Sequence, residues 1–221
     1  MARLTCTLGV LVLAATALVG CGSDSSSSGA GMTELEPDAD VNGTTTVELA
    51  ELMTGAWVES PAESNSAIDP TLCDMGLSTD DYYLAPSWVE PGTAAASCTM
   101  KADQALVLFT AGLMCVDVAG DNGASPECLE DNWGLTSASV TIDGEVFDDW
   151  EDRVVSTDAF PVSLVEGNIF EAEPEDTEMR ARQTIFVFDG LAVGEHDIVI
   201  AGNFDDGDFA GQLDLTLTVE A

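Results

Sequence analysis

Basic side chains are nearly missing from this sequence. Lysine and arginine together number five against 41 aspartates and glutamates, a formal charge of −36. Nucleic acid is excluded as a partner, because phosphate binding requires lysine and arginine. Adsorption to an anionic lipid surface is disfavoured too, within a Debye length of about 8 Å at physiological salt. Self-repulsion lowers stability in dilute buffer and fades in salt. A saline habitat and an ordinary solvated acidic surface both account for this balance. Histidine is as scarce: His196 stands alone, so any Ser-His-Asp or Cys-His mechanism must use it. A Gly-x-Ser-x-Gly elbow, a phosphate cradle and a dinucleotide fingerprint are all absent, which leaves nucleophilic and nucleotide chemistry without a motif. There is no internal repeat.

Charge of either sign is absent between Arg3 and Asp24. A basic start, the apolar stretch Leu4 to Gly20 and small residues before a cysteine describe a secretory signal peptide. Leu18-Val19-Gly20-Cys21 resembles a bacterial lipoprotein signal, in which Cys21 carries lipid on its sulfur and becomes the first mature residue. The competing reading is an uncleaved membrane helix, but 17 residues lie at the short end of the roughly 17–25 that span a bilayer. Residues 22–45 hold few large apolar groups and are expected to be a disordered tether. Its root-mean-square reach is about 25–30 Å. The expected organisation is a signal peptide over 1–20, a lipidated cysteine and tether over 21–45, and one domain over 46–221. The expected location is the bacterial cell envelope, at the outer membrane, with the lipid chain as the membrane contact.

Without Arg3 the formal charge becomes −37. Cys6 leaves with the leader and Cys21 is used by lipid, so Cys73, Cys98, Cys115 and Cys128 remain. An even number in an oxidising compartment implies two disulfides. Four cysteines allow three connectivities; Cys73–Cys98 with Cys115–Cys128 is favoured, because the second closes a short loop, worth about 3 kcal/mol in the chain-entropy model. Zinc is opposed by the lack of any Cys-x-x-Cys pair and by the distance to His196.

Residues 45–55, TTVELAELMTG, carry helix signals. Thr45 and Glu48 have capping-box spacing, and Gly55 suits the position after a helix end. From residue 82 the period switches to two. YYLA, SCTMKA, ALVLFTA, SASVTIDG, RVVSTDAF, PVSLVEG, QTIFVFDG, HDIVIAG and LDLTLTVEA each read as a strand. Asp143-Gly144 is a tight hairpin signal, and the charged stretch 171–181 is expected to be a loop. Short strands separated by turns, without alternating helices, define an all-β fold: an antiparallel, immunoglobulin-like β-sandwich with one short N-terminal helix.

The order of AWVESPAESNSAIDP, CTMKADQALVLFTAGLMC and FVFDGLAVGEHDIVIAG resembles a group of exported bacterial proteins of unknown activity. They pair a cysteine-led strand and an apolar strand with a late L-x-x-G-x-H-x-I hairpin. The resemblance covers roughly residues 47–202. It implies a secreted β-sandwich and brings no catalytic residues.

His196 shares a strand face with Ile198 and Ile200, which points to a packed ring with one nitrogen bonded. Carboxylates cluster at 148–152, 171–178 and 205–208. A glycosidase needs two of them at fixed separation, and Trp150 among Asp148, Asp149, Glu151 and Asp152 is placed either to stack on a sugar or to anchor a loop. Asn203, Asp205, Asp206 and Asp208 on one turn are weak calcium candidates, without the EF-hand order. No other cofactor is expected. The function read from these residues is a non-catalytic binding or structural module with an unidentified protein or glycan partner. Its loops at 118–135 and 171–181 would make the contacts. The alternatives are a carboxylate-based surface hydrolase acting on glycans and a calcium-stabilised adhesion module.

Overall fold

The computed structural model describes residues 32–88, 90–118, 123–204 and 209–221. The expected leader, Cys21 and the calcium candidates Asp205, Asp206 and Asp208 lie outside the described residues. The chain begins with short strands β1 (Thr33–Glu34), β2 (Asp40–Val41) and β3 (Thr44–Thr45), then helix α1 (Thr46–Glu59). The strands β4 (Tyr82–Leu84), β5 (Gly92–Lys101) and β6 (Ala105–Val116) precede a second helix, α2 (Pro126–Asn132). After it come β7 (Leu135–Ile142), β8 (Glu145–Phe147), β9 (Val154–Ser156), β10 (Phe160–Ser163), β11 (Asp176–Asp189), β12 (Gly194–Phe204) and β13 (Phe209–Glu220).

These strands form two large sheets over a shared core. In the first sheet β11 is central: β6 lies along one edge, and β10, β9 and β1 share the other. The second sheet has the order β5-β13-β12-β7-β8. Leu106, Leu108, Phe186 and Phe188 from the first sheet meet Val140, Ile198, Ile200, Leu213, Leu215 and Leu217 from the second. The alternate residues of the first sheet, Val107, Phe109, Ile185 and Val187, pack on Leu49, Ala50, Met53 and Trp57 of α1. The first sheet is therefore buried on both faces. This explains why ALVLFTA and QTIFVFD read as nearly unbroken apolar runs, while LDLTLTVE alternates.

The mostly-β composition matches expectation; several details do not. Two pairings are parallel, β5 with β13 and β4 with β6, so the sheets are not wholly antiparallel. A second helix is present, begun by Ser125, whose side chain accepts from the Cys128 N–H, and by Pro126. Helix α1 starts on the expected capping box between Thr45 and Glu48 but runs through Gly55 to Glu59. Its apolar stripe continues at Trp57 and Val58, and Pro61 ends it instead.

The domain also begins earlier than residue 46. Thr33 and Glu34 pair with Asp189 and Phe188, Leu35 N–H donates to the Val187 carbonyl, and Val41 is buried. Asn42 and Gly43 both take positive φ, 52° and 96°, in the turn between β2 and β3, a tight hairpin favoured by that dipeptide. Residues 32–45 are thus folded, and the expected tether does not extend over them. The charged segment 171–181 is a loop only up to residue 175; β11 then carries Met179 and Ala181 into a core cluster.

Candidate binding site at one end of the sheets

The chemistry-bearing residues named from sequence are spread over the molecule. His196 bridges two turns: Nδ1 meets Asp143 Oδ2 at 2.7 Å and Nε2 meets the Ala192 carbonyl at 2.8 Å. Both partners are acceptors, so the ring makes both bonds only as an imidazolium. Burial pushes its pKa down, but the Ala192 carbonyl and the Asp143 carboxylate outweigh that and raise it. Asp143 Oδ1 also accepts from Asp197 N–H at 3.0 Å, and the Asp143-Gly144 turn has φ of 51° and 87°. Both ring nitrogens are engaged, where one was expected, and the ring braces the β7–β8 turn.

Of the 148–152 carboxylates, Asp149 accepts from Arg153 at 3.1 Å, while Asp148, Glu151 and Asp152 are exposed. Trp150 is partly buried against two core clusters and anchors a loop. Arg153 itself is buried, with 7% of its side chain exposed and Glu34 at 2.7 Å. It donates to the Leu35 carbonyl and lies 5.6 Å from the Phe186 ring centroid. Burial raises the Glu34 pKa, with Arg153 pulling it back down. Asn203, the one described calcium candidate, donates its amide to Ser137 Oγ at 2.7 Å. No group of three or more His, Cys, Asp or Glu among the described residues is placed to hold a metal ion.

A different set of residues converges where β6 and β12 end and β11 begins. Both favoured disulfides are formed, Cys73–Cys98 and Cys115–Cys128. The second ties α2 to β6. Arg180 and Arg182 project from one face of β11 and hold the same excursion: Arg180 Nε donates to the Ala124 carbonyl at 2.9 Å, and Arg182 Nη1 to the Leu129 carbonyl at 3.4 Å. Arg182 lies 5.5 Å from the Trp133 ring centroid, and Trp133 meets Phe204 edge-on at 6.0 Å. Two of the four basic residues after Arg3 thus clamp one segment. Beside them runs an open groove of about 440 Å³, lined by Val47, Glu51, Leu129, Asp158, Arg180 and Arg182. Burial, and then the charges of Glu48 and Asp158, raise the Glu51 pKa.

Phe204 leads on to a smaller cavity of about 70 Å³ near Thr110. Thr184 pairs with Ala111 and Ile185 with Phe109, so Thr110 is the extra residue of a β-bulge, a device common beside functional sites. Gly202 lets β12 approach: a Cβ there would sit 2.9 Å from the Thr110 carbonyl. At Gly112 a Cβ would lie 1.9 Å from Gln183 Oε1, because the Gln183 side chain fills that space. Trp57 Nε1, Trp88 Nε1, Gln183 Nε2 and Thr184 Oγ1 are buried with no hydrogen-bond partner among the described residues. Each unmade bond of this kind costs about 1–3 kcal/mol. Trp57, Trp88 and Gln183 line the cavity, and Thr184 follows in the chain.

Sequence reading missed this constellation. The period-two alternation through TEMRARQT, which the expectation of a loop over 171–181 passed over, is the signal that puts Arg180 and Arg182 on one face. Glycines at 112 and 202 inside strands signal close backbone approach without saying to what. No family model matches the chain, and no curated protein matches it. Among solved structures, a chain in the structure of PbICP-C in complex with falcipain-2 is similar at 14% identity and TM-score 0.26, over 59% of this chain and 92% of that one. Amebosin in solution is similar at 12% identity and TM-score 0.20, over 58% and 96%. Overlaps this small bear on neither fold nor function.

Proposed function

We propose that this chain is a lipid-anchored protein of the bacterial cell envelope, held at the outer membrane through Cys21. Its domain, an immunoglobulin-like β-sandwich on this reading, acts as a non-catalytic binding or structural module. The observation that carries the binding role is the clamped excursion after β6. A disulfide, two arginine-to-carbonyl bonds and a cation–π contact hold one segment in place beside an open groove. Ordering a segment in advance removes part of the entropy cost of association. The leader ending in Leu18-Val19-Gly20-Cys21 supports the anchor.

Two experiments test the reading. Cys21→Ser is expected to move the protein from the membrane fraction to the soluble one, and persistence in the membrane overturns the anchor. Purified protein is expected to turn over no glycosidase substrate. Turnover abolished by one Asp or Glu substitution puts the carboxylate hydrolase in place of the non-catalytic module. A thermal midpoint raised by calcium far more than by magnesium favours the adhesion alternative, with Asn203, Asp205, Asp206 and Asp208 as its ligands.

A further inference from the structure

The cavity beside Thr110 has a donor-rich lining and no charged side chain. Among the described residues, the lining side chains Trp57, Trp88 and Gln183 carry indole and amide N–H groups without a partner. Donors of this kind call for acceptors, which excludes a cation as the occupant. An anion is disfavoured by a chain carrying a formal charge of −36. What remains is a neutral group with several oxygens close together.

Size narrows the class. At about 70 Å³ the cavity is well below the roughly 300 Å³ of pockets that enclose whole ligands, so it takes one edge of a molecule. A neutral peptide brings one carbonyl per residue, and neighbouring residues of an extended chain are about 3.3 Å apart, facing alternate sides. A sugar ring carries adjacent hydroxyls on one edge, each accepting as well as donating. Ser87 Oγ, which donates to the Phe109 carbonyl at 3.3 Å, keeps lone pairs for a donated hydroxyl proton.

We propose that this cavity binds the hydroxyl-bearing edge of a neutral saccharide, with Trp57, Trp88 and Gln183 donating to its oxygens. The assignment rests on the binding-module reading and gives that module its ligand class. The three nitrogens are shielded from solvent, so entry of the sugar edge requires the Gln183 amide to turn out from over Gly112. The site then costs stability when empty and recovers it when filled.

The test is an NMR titration of the ¹⁵N-labelled full chain in detergent, followed through the indole N–H resonances of Trp57 and Trp88. These are identified by Trp57→Phe and Trp88→Phe. The probes are glucose, galactose, mannose, N-acetylglucosamine and cellobiose, each to about 100 mM, enough to detect millimolar binding. At least one sugar is expected to shift both resonances saturably. Gln183→Leu, of similar volume, is expected to weaken that sugar roughly three- to tenfold while leaving the thermal midpoint unchanged or higher. Unshifted indole signals with every sugar overturn the proposal, as does an unaltered affinity in Gln183→Leu. If Gln183→Leu does not fold, Trp88→Phe, which keeps an aromatic side chain but deletes the indole N–H, is held to the same loss. Shifts produced by N-acetyl-trialanine amide and by no sugar overturn it in favour of a peptide. The cellobiose tube separates this failure from that of the broader reading: cleavage to glucose refutes a non-catalytic module and leaves the cavity standing, whereas silent indoles refute the cavity alone.

Discussion

The two sheets share a core yet face different surroundings. The first is covered by α1 on its far side, so Phe109 and Ile185 are as buried as Leu108 and Phe186. The second keeps its far side in water, where β5, β12 and β13 present Thr93, Ser97, Thr99, Val199, Asp214 and Thr216. The covered sheet is also the one that gathers special features: the folded N-terminal segment on β1, buried Arg153, the arginine clamp and the cavity by Thr110. A layer packed from both sides offers a stiff frame on which side chains keep their positions. The open sheet contributes mainly its inner face.

The sharpest way to break this comparison is to hollow out each far face in turn. Phe109→Ala, between the first sheet and Trp57, is expected to cost about 3–5 kcal/mol in urea unfolding. Thr216→Ala on the open face should change stability by no more than about 0.5 kcal/mol. Equal effects would show that α1 is not part of the cooperative fold.

Charge gives the next contrast. Arg153→Leu leaves Glu34 and Asp149 facing each other without their shared cation, an expected loss of about 3 kcal/mol. Lys101→Met breaks the solvent-exposed pair with Asp80 at 2.7 Å and is expected to leave the melting temperature where it was. A comparable drop in both would contradict the burial of Arg153.

The smallest effect concerns His196 at the edge of the second sheet. Its folded pKa is raised above the unfolded value of about 6.5. Its contribution is therefore complete below about pH 6.5 and is lost as pH rises through the folded value. The thermal midpoint is expected to fall across that window, and His196→Gln should remove that part of the slope. A slope unchanged in the variant would mean that the Asp143 and Ala192 bonds do not need the proton.

Much of the fold was legible because its signals are local. The Thr45/Glu48 box set the start of α1, Asp143-Gly144 set the β7–β8 turn, and alternation in Leu213 to Val219 set the face of β13. The end of α1 was not legible from Gly55, since continuing a helix through glycine costs only about 1 kcal/mol and burial of Trp57 and Val58 offsets it. Residues 32–45 look too polar to fold by themselves; they fold because β11 supplies an unpaired edge and Arg153 supplies a buried partner for Glu34. Of the binding end, the Cys115–Cys128 pair was readable from spacing. Gln183 and Trp88 were not, for neither belongs to a periodic pattern or a motif that distinguishes a cavity wall from a core position.

By itself the sequence determined a mostly-β domain with two disulfides and a formal charge of −36. Those properties follow from period, spacing and composition, which every residue carries wherever it lies in space. The tertiary structure alone decided that β6 and β11 are buried on both faces, that β5 runs parallel to β13, and that two arginines close on one excursion. It also decided that Trp57, Trp88 and Gln183, each with a buried N–H that has no partner among the described residues, line one small cavity. Each of these is a meeting of residues far apart in the chain, and only the packed sheets bring them together.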